Sequence, residues 1–334
     1  MRPVRMGVIG LGHLGQHHAR ILSRLDSVEL TAIVDIDHDR AQEIGRRTGA
    51  RPYADYREII GKVDAVSVVV PTNVHYAVAK EFLQAGKDVL IEKPITNSVY
   101  QALELIELAN RNNLILQVGH LERFNSAVTK LEDIITEPGY IESQRLSPFP
   151  GRSMDIDVIL DLMIHDLDVI LSFVKSKVRS VKAIGHPVLT SSIDMASAWL
   201  EFENGCVANV TASRVSKERI RKMRIFQPES YISLDYQLQR LTVMNRVAGA
   251  NGQSLPHLVE VVHELKKAEP LKVELDAFAR SVQTRTPPKV SGRDGLDALR
   301  LALQVADVIE PRVRAFNMFI PSVREGLARV EAAT

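Results

Sequence analysis

Apolar and polar positions alternate in a regular rhythm over the first 120 residues of the chain. Short runs rich in Val, Ile and Leu occur at residues 4–9, 29–34, 65–70, 88–91 and 114–118. Amphipathic stretches with helical spacing separate them, at residues 14–25, 40–48, 75–85 and 98–112. Most of the apolar runs lack polar alternation, which is typical of parallel strands buried on both faces. The alternation predicts right-handed βαβ units and an α/β fold with a doubly wound parallel sheet.

The rhythm changes after residue 120. Helical patterns at residues 126–135 and 158–174 flank a stretch that contains Pro and Gly, 137–152. Strand-like runs follow without helices between them, at residues 181–184, 195–202, 206–213, 223–226, 231–236 and 239–243. Asn204-Gly205 predicts a hairpin with a type I′ turn. These features predict a second, α+β domain with a largely antiparallel open sheet.

Two further helices are predicted at residues 271–284 and 294–309, and Pro311 is expected to end the second. The predicted domains are therefore 1–120 and 121–334, with the closing helices free to pack back on the first domain.

Composition excludes several classes of partner. The 334 residues carry a net charge of +1, so no global basic field would hold nucleic acid or an anionic membrane. The one cysteine, Cys206, permits no intrachain disulfide and no thiolate metal cluster. No apolar run approaches the ~20 residues needed to cross a bilayer. Glycines interrupt the first apolar run, which makes it a poor export signal, and we expect a cytoplasmic protein.

A glycine-rich loop follows the first predicted strand. Gly10 permits a tight turn, Gly12 allows close approach of a pyrophosphate, and Gly15 allows a helix to pack on the strand. The phosphates would then lie against free N–H groups at the helix N-terminus. With the intervening Leu11, His13 and Leu14, this loop predicts a dinucleotide-binding domain of the Rossmann type.

An acidic residue sharpens the choice of cofactor. Asp35 ends the second predicted strand, where a carboxylate bonds both ribose hydroxyls, and Ile36 follows it beside the same nucleotide. Because the carboxylate would repel the extra phosphate of NADP, NAD is the expected cofactor. Arg40 and Arg46 leave NADP open as the less favoured alternative.

Three segments follow the carboxyl ends of later strands, where ligands of open parallel sheets bind. They contain the predicted cofactor-binding residues Pro71, Thr72, Asn73, His75, Glu92, Lys93 and Pro94, and also Gly119-His120. Lys93 is the informative residue. Next to a positive nicotinamide its pKa would fall, so that it could accept or relay a hydroxyl proton. The alternative is a surface lysine in a turn.

A second constellation lies on the helix predicted at 158–174. Asp161, His165 and Asp168 fall at i, i+4 and i+7, on one face of an otherwise apolar helix. One interpretation is a histidine that bonds a substrate hydroxyl while a carboxylate orients its ring. A zinc site and a satisfied core histidine are the alternatives.

These motifs together resemble the Gfo/Idh/MocA family of dehydrogenases and reductases, which act mostly on sugars, inositols and related polyols. The resemblance rests on the glycine loop, Glu92-Lys93-Pro94, Gly119-His120-x-x-Arg123-Phe124-Asn125 and the later helix with Asp161 and His165, in that order. It implies that Lys93 and His165 handle the proton, that Asp161 lies beside the substrate, and that no metal is used. It further implies substrate contacts from His120, Arg123, Phe124 and Asn125. In this family the second-domain sheet often forms the oligomer interface, so a homodimer or homotetramer is expected.

Within the family, segments 10–20, 119–125 and 161–168 resemble a branch that oxidises the 3-hydroxyl of UDP-N-acetylglucosamine. That branch supplies a 3-keto sugar nucleotide to an aminotransferase in the synthesis of diamino-sugar lipid A. A pyrophosphate on the substrate would need cations, for which Arg145, Arg152 and the basic run 213–224 are candidates. Alternatively, the basic run is a solvated sheet edge.

Two other functions stay open. A dehydrogenase of a free sugar, inositol or other polyol would need no pyrophosphate site. A non-catalytic NAD-binding sensor is the third possibility, although such proteins tend to lack the lysine or the histidine, and this chain has both Lys93 and His165.

Overall fold

The computed structural model describes residues 2–149, 156–248 and 256–319. The chain divides into two compact units, each assembled from separate stretches of sequence. The first comprises residues 1–134, 236–241 and 263–300, and the second comprises 135–235, 242–262 and 301–334. The boundary predicted at residue 120 therefore falls inside the first unit, which also contains the helix at Pro270–Thr284.

The first unit is built on a six-stranded sheet with the strand order 3-2-1-4-5-6, and each of its strand pairs is parallel. Its strands are β1 (Val4–Ile9), β2 (Val28–Val34), β3 (Arg51–Tyr53), β4 (Ala65–Val68), β5 (Asp88–Glu92) and β6 (Leu116–Gly119). This confirms the doubly wound sheet. The three-residue edge strand β3 was not predicted, because it is too short to carry a hydrophobic period.

Helices connect these strands as predicted. They are α1 (Gly15–Leu22), α2 (His38–Thr48), α3 (Thr72–Gln84) and α4 (Val99–Arg111), and the short α5 (Ser126–Glu132) follows β6. Local chemistry sets the ends of α2, since the Asp37 carboxylate accepts the Arg40 N–H at 3.1 Å and Gly49 ends the helix at φ +78°. Among the described residues, no side chain caps α1; its first turn bonds back to the glycine loop instead, the Gln16 N–H to the Gly12 carbonyl at 3.2 Å and the His17 N–H to the Leu14 carbonyl at 2.8 Å.

The second unit contains an eight-stranded sheet with the order 14-13-12-11-7-10-9-8. Its strands are β7 (Tyr140–Leu146), β8 (Val178–His186), β9 (Met195–Phe202), β10 (Val207–Ser213), β11 (Ile220–Gln227), β12 (Ser230–Asp235), β13 (Arg240–Val247) and β14 (His257–His263). β7 and β10 are parallel, whereas the pairs 8–9, 9–10, 7–11 and 11–12 are antiparallel.

Several expectations for this unit are wrong in detail. Tyr140–Leu146 lies in the stretch with Pro and Gly, where no strand was predicted, but it is an interior strand of the sheet. The Asn204-Gly205 hairpin between β9 and β10 is present, but of this pair only Gly205 has a positive φ, +89°. The Gly205 N–H bonds the Phe202 carbonyl at 3.1 Å and the Phe202 N–H bonds the Cys206 carbonyl at 2.9 Å, so the hairpin closes without the predicted type I′ turn.

Four more helical elements lie in the described part of the chain. A π-helical turn, Ile159–Met163, leads directly into α6 (Ile164–Val174), and α7 (Pro270–Thr284) and α8 (Gly292–Phe319) follow later. Pro311 lies inside α8 and does not end it, contrary to prediction. Proline removes one N–H from the helical ladder, and here the backbone tolerates that single loss.

Candidate active site

The glycine loop between β1 and α1 has the geometry that its sequence predicts. Gly10 has φ +85°, and a Cβ there would lie 2.5 Å from the Val69 carbonyl oxygen. A Cβ on Gly15 would lie 1.8 Å from the Gly10 carbonyl oxygen, so helix and loop touch at van der Waals distance. At Gly12 a Cβ would meet no protein atom within 4 Å, which leaves that backbone open to a pyrophosphate.

The neighbouring loop residues divide by exposure. Leu11 is buried, at 1% exposed, whereas His13 and Leu14 face solvent at the mouth of the loop. The buried leucine anchors the loop in the core, and the exposed pair is available to a nucleotide.

Asp35 lies at the end of β2 and is bound to the glycine loop. Its carboxylate accepts the Leu11 N–H at 2.7 Å and the Asp37 N–H at 2.9 Å, and the Arg40 guanidinium lies 3.4 Å away. These bonds fix the carboxylate while leaving lone pairs for ribose hydroxyls. Ile36 is 96% exposed beside it, as expected for an apolar contact to a nucleotide. The residues present therefore fit NAD.

The turn after β4 starts helix α3. Pro71 and Asn73 are exposed and Thr72 is half-buried at the first turn, where they are available to a ligand. His75, predicted to contact cofactor, is 1% exposed instead. Its ring nitrogens face the carbonyls of Pro94 (3.0 Å) and Val70 (2.9 Å), so it ties two loops together. Burial lowers the pKa of His75, and the hydrogen bonds to the Pro94 and Val70 carbonyls offset part of that shift.

Glu92 and Lys93 lie at the carboxyl end of β5. The Glu92 side chain is 12% exposed, and one of its oxygens accepts the Lys93 N–H at 3.2 Å. The next residue, Pro94, is buried and joined to Lys93 by a cis peptide bond. On the neighbouring strand, a Cβ on Gly119 would lie 2.9 Å from the Glu92 carboxyl group. Glycine therefore makes the space in which this carboxylate sits.

Two residues that sequence analysis missed belong to the same cluster. His18 and Ser67 are both fully buried; the His18 Nδ1 lies 2.9 Å from the Ser67 hydroxyl and its Nε2 lies 3.3 Å from Glu92. The only sequence signal was a serine inside the apolar run of β4. The contact itself joins residues far apart in the chain.

The segment from His120 to Asn125 is largely internal. His120 is 1% exposed and Arg123 9%. Phe124, 4% exposed, packs 5.9 Å from the Lys289 ammonium, and Asn125 caps α5 by accepting the Ala127 N–H at 3.1 Å. Phe124 and Asn125 thus have packing and helix-capping roles in the first unit, and their contact with substrate stays a prediction.

In the second unit, Asp161 lies in the π-helical turn and His165 in the first turn of α6. Four residues are close to one turn in either kind of helix, so both side chains stay on similar faces, and both are partly exposed. Asp168 is 2% exposed and belongs to the interior. Extra-wide turns of this kind are frequent at functional sites.

A buried ion pair attaches α6 to the sheet. The Arg145 guanidinium on β7 donates to both oxygens of Asp166, at 2.6 and 3.2 Å, and the Ser143 hydroxyl donates to the same carboxylate at 2.9 Å. Arg145 is 2% exposed, so it fixes the helix beside His165 and is not a phosphate ligand.

Arg214 is likewise internal, at 1% exposed. It donates to Asp194 at 2.8 Å, to the Ile156 carbonyl at 2.6 Å and to Thr190 at 3.0 Å. The run 213–224 is not a sheet edge either, because β11 pairs with both β12 and β7. The third predicted cation, Arg152, lies outside the described residues.

Within residues 2–149, 156–248 and 256–319, no three His, Cys, Asp or Glu side chains are grouped to hold a metal ion. In the same ranges, no helix combines the length and the apolar character that a membrane crossing requires.

A parallel sheet in 3-2-1-4-5-6 order, an open glycine at the start of α1 and an acid at the end of β2 define an NAD-binding Rossmann oxidoreductase. Family models agree: residues 4–120 match the oxidoreductase family with the NAD-binding Rossmann fold, and residues 144–232 match the Gfo/Idh/MocA C-terminal domain.

Comparison with known proteins extends the match to the whole chain. UDP-N-acetylglucosamine 3-dehydrogenase from Acidithiobacillus ferrooxidans is 38% identical over 92% of this chain and 97% of its own. A solved structure of that enzyme superposes with a TM-score of 0.88, covering 94% of this chain and 99% of the other. Myo-inositol 2-dehydrogenase from Thermotoga maritima is 28% identical over 92% and 97%.

The chain belongs to the Gfo/Idh/MocA family. It is an NAD-dependent dehydrogenase that acts on a CH–OH group, as its sequence predicted.

Proposed function

We propose that this dehydrogenase oxidises the 3-hydroxyl of a UDP-N-acetylhexosamine, with UDP-N-acetylglucosamine as the first candidate. The observation that carries the proposal is the 38% identity to a UDP-N-acetylglucosamine 3-dehydrogenase along nearly the full length of both chains. The TM-score of 0.88 to that enzyme supports it, since both units then have equivalents in one known enzyme.

In the proposed reaction, Lys93 or His165 accepts the proton of the sugar hydroxyl, and Asp161 lies beside the substrate. Bound NAD would supply the hydride acceptor. The chain contributes orientation: Glu92 fixes the Lys93 backbone at 3.2 Å, and the Arg145–Asp166 pair fixes the helix that carries His165. Lys93 belongs to the first unit and His165 to the second.

A UDP sugar also needs cations for its pyrophosphate. Since Arg145 and Arg214 are engaged internally, we assign this role to Lys217 and Arg219, two exposed residues in the loop between β10 and β11. Two bonds hold that loop: the Ser216 N–H bonds the Ser147 carbonyl at the end of β7 at 3.1 Å, and Arg214 bonds the Ile156 carbonyl, three residues before the π-helical turn with Asp161, at 2.6 Å.

The proposal has a metabolic and an assembly component. A 3-keto sugar nucleotide is the substrate of an aminotransferase, which would place this enzyme in the synthesis of diamino-sugar lipopolysaccharide, in the cytoplasm.

We also propose a homodimer or homotetramer, supported by an aromatic cluster on the outer face of the second sheet. Tyr140 lies 6.2 Å from Trp199 and 5.8 Å from Phe226, and Phe226 lies 4.9 Å from Tyr231, between ring centroids.

The test is the appearance of NADH when the purified protein is mixed with NAD and a panel of substrates. The panel contains UDP-N-acetylglucosamine, UDP-N-acetylgalactosamine, free N-acetylglucosamine, myo-inositol and scyllo-inositol. We expect the UDP sugars to give the highest kcat/KM. Lys93→Ala and His165→Ala should each lower turnover by about 10²–10⁴-fold while NAD still binds, because each removes a proton acceptor.

Preference for an inositol over every UDP sugar would replace the proposal with its second candidate, which the 28% identity to myo-inositol 2-dehydrogenase favours. Full turnover in both the Lys93 and the His165 variant would remove these residues from the mechanism.

A further inference from the structure

A buried chain of polar side chains connects the cofactor helix to the lysine loop. It runs from Ser67 on β4, through His18 on α1, to Glu92 at the end of β5. Ser67 and His18 are 0% exposed, the Ser67 hydroxyl lies 2.9 Å from His18 Nδ1, and His18 Nε2 lies 3.3 Å from the Glu92 carboxylate. Three elements of the first unit thus meet on one imidazole ring.

The apolar surroundings indicate that this polar cluster is kept for a function and not for stability. It is embedded in strands of Val, Ile and Leu, and well-packed apolar side chains would stabilise the same space at least as well as a buried ionic group. The Glu92 carboxylate also needs space, which Gly119 leaves, because a Cβ at position 119 would lie 2.9 Å from the carboxyl group. Two of its members lie next to proposed functional parts: His18 is three residues beyond Gly15 of the cofactor loop, and Glu92 precedes Lys93.

We propose that His18, oriented by Ser67, is a positioning residue that fixes the Glu92 carboxylate beside Lys93. The inference rests on the proposed role of Lys93 as proton acceptor. The fixed carboxylate holds the lysine loop through the Lys93 N–H at 3.2 Å and supplies a negative neighbour for its side chain. His75 holds the other end of the loop through the Pro94 carbonyl at 3.0 Å.

Electrostatics around Glu92 support this arrangement. Burial raises the pKa of Glu92, but the contact with His18 and the charges of His18, Lys93 and His75 outweigh burial and hold the pKa below its ordinary value. These three groups, from α1, the lysine loop and α3, are the charged or titratable partners that act on the carboxylate. If the imidazole is removed, burial dominates, and Glu92 takes up a proton at a higher pH than in the natural protein.

The experiment compares His18→Leu, His18→Gln, Ser67→Ala and Glu92→Gln in the full-length protein. His18→Leu keeps the volume and removes the donor, whereas the amide of His18→Gln returns a donor near the position of Nε2. A matched control is Ser281→Ala, which removes a hydroxyl that is 7% exposed on α7 of the same unit.

The first readout needs no substrate. Carboxyl ¹³C NMR of glutamate-labelled protein follows the ionisation of Glu92, whose resonance is identified by its absence in Glu92→Gln. We expect its midpoint to rise by on the order of one pH unit or more in His18→Leu, less in Ser67→Ala and His18→Gln, and not at all in Ser281→Ala.

The second readout is the pH dependence of kcat/KM with the best substrate of the panel. His18→Leu should lose up to about 100-fold in kcat with unchanged NAD affinity, because the acceptor is misplaced while the cofactor site is intact. In His18→Leu, the acid side of the kcat/KM profile should move to higher pH together with the Glu92 titration. His18→Gln should recover part of the lost kcat and part of the shift in pH.

The proposal is overturned if the natural protein, His18→Leu and His18→Gln have the same pH profile and the same Glu92 titration. This holds even if kcat falls, because loss of kcat alone indicates only a structural role. If His18→Leu does not fold, His18→Gln and Ser67→Ala decide the matter. If the natural protein oxidises no member of the panel, the proposed function fails, and the NMR titration alone tests the network.

Discussion

At the residue scale, the cofactor loop shows how three glycines in one motif serve different physical needs. Gly10 needs its positive φ. Gly15 must lack a Cβ, because that atom would lie 1.8 Å from the Gly10 carbonyl oxygen. Gly12 has open space where a Cβ would be. Only the first two are therefore required by the fold. The third matters when a ligand is present.

This difference gives a testable contrast between Gly12→Ala and Gly15→Ala. Gly12→Ala should change the free energy of unfolding by less than about 0.5 kcal/mol, as surface substitutions do, but weaken NAD binding at least about tenfold. Gly15→Ala should destabilise the protein by more than the ~1–3 kcal/mol of ordinary overpacking, because its clash is with backbone. Denaturant unfolding and NAD titration by fluorescence measure the two effects; equal loss of stability in both variants would contradict the contrast.

Several site residues were predictable one at a time, and others were not. Gly10, Gly12, Gly15 and Asp35 were predicted because their roles depend on local spacing around one strand–turn–helix unit. His18 was missed because its partners, Ser67 and Glu92, lie 49 and 74 residues away along the chain. Contacts of that kind exist only once the sheet has formed.

At the element scale, β7 illustrates why a strand can escape a sequence pattern. Its burial alternates regularly, but the inward side chains include Ser143 and Arg145, which are polar. A polar inward face breaks the apolar alternation by which a strand is recognised, and the partner that satisfies it is Asp166, twenty-one residues from Arg145. The same pairing removed Arg145 from the set of phosphate ligands.

The loop between β10 and β11 carries the prediction at this scale. Removal of the charge in Lys217→Ala and Arg219→Ala should raise KM for a UDP sugar by about tenfold or more, because a hydrogen bond to a charged group contributes ~1.5–3 kcal/mol. The KM for NAD should stay unchanged. Steady-state kinetics check this, with Arg179→Ala as a control that removes an exposed cation on β8. Equal KM values for the natural protein and both loop variants would place the pyrophosphate elsewhere.

At the scale of the whole molecule, the aromatic cluster of Tyr140, Trp199, Phe226 and Tyr231 is the feature that bears on assembly. Trp199 is 40% exposed and Phe226 43% exposed, on a sheet whose opposite face is covered by α6. Large exposed apolar patches of this kind mark interaction sites. A second copy of the chain, which would present the same patch, is the proposed partner.

We therefore expect Trp199→Asp and Phe226→Asp to convert an oligomer into smaller species in light scattering coupled to gel filtration. The reason is that each places a charge in an apolar contact, where desolvation is costly. Tyr100→Asp changes a 74% exposed aromatic residue on α4 and should leave the mass unchanged. A natural protein that is monomeric at micromolar concentration would contradict the proposed assembly.

By itself the sequence determined the parallel nucleotide-binding sheet, its glycine loop, the acid after β2 and the preference for NAD. The glycine loop and the acid depend on spacing within one strand–turn–helix–strand stretch, and the sheet depends on a period that repeats from β1 to β6; each of these signals is local. Only the tertiary structure decided that Arg145 and Arg214 are internal, that β7 is a strand, and that His18 reaches Glu92. Burial and ion pairing between distant segments are consequences of packing, and no local pattern encodes them.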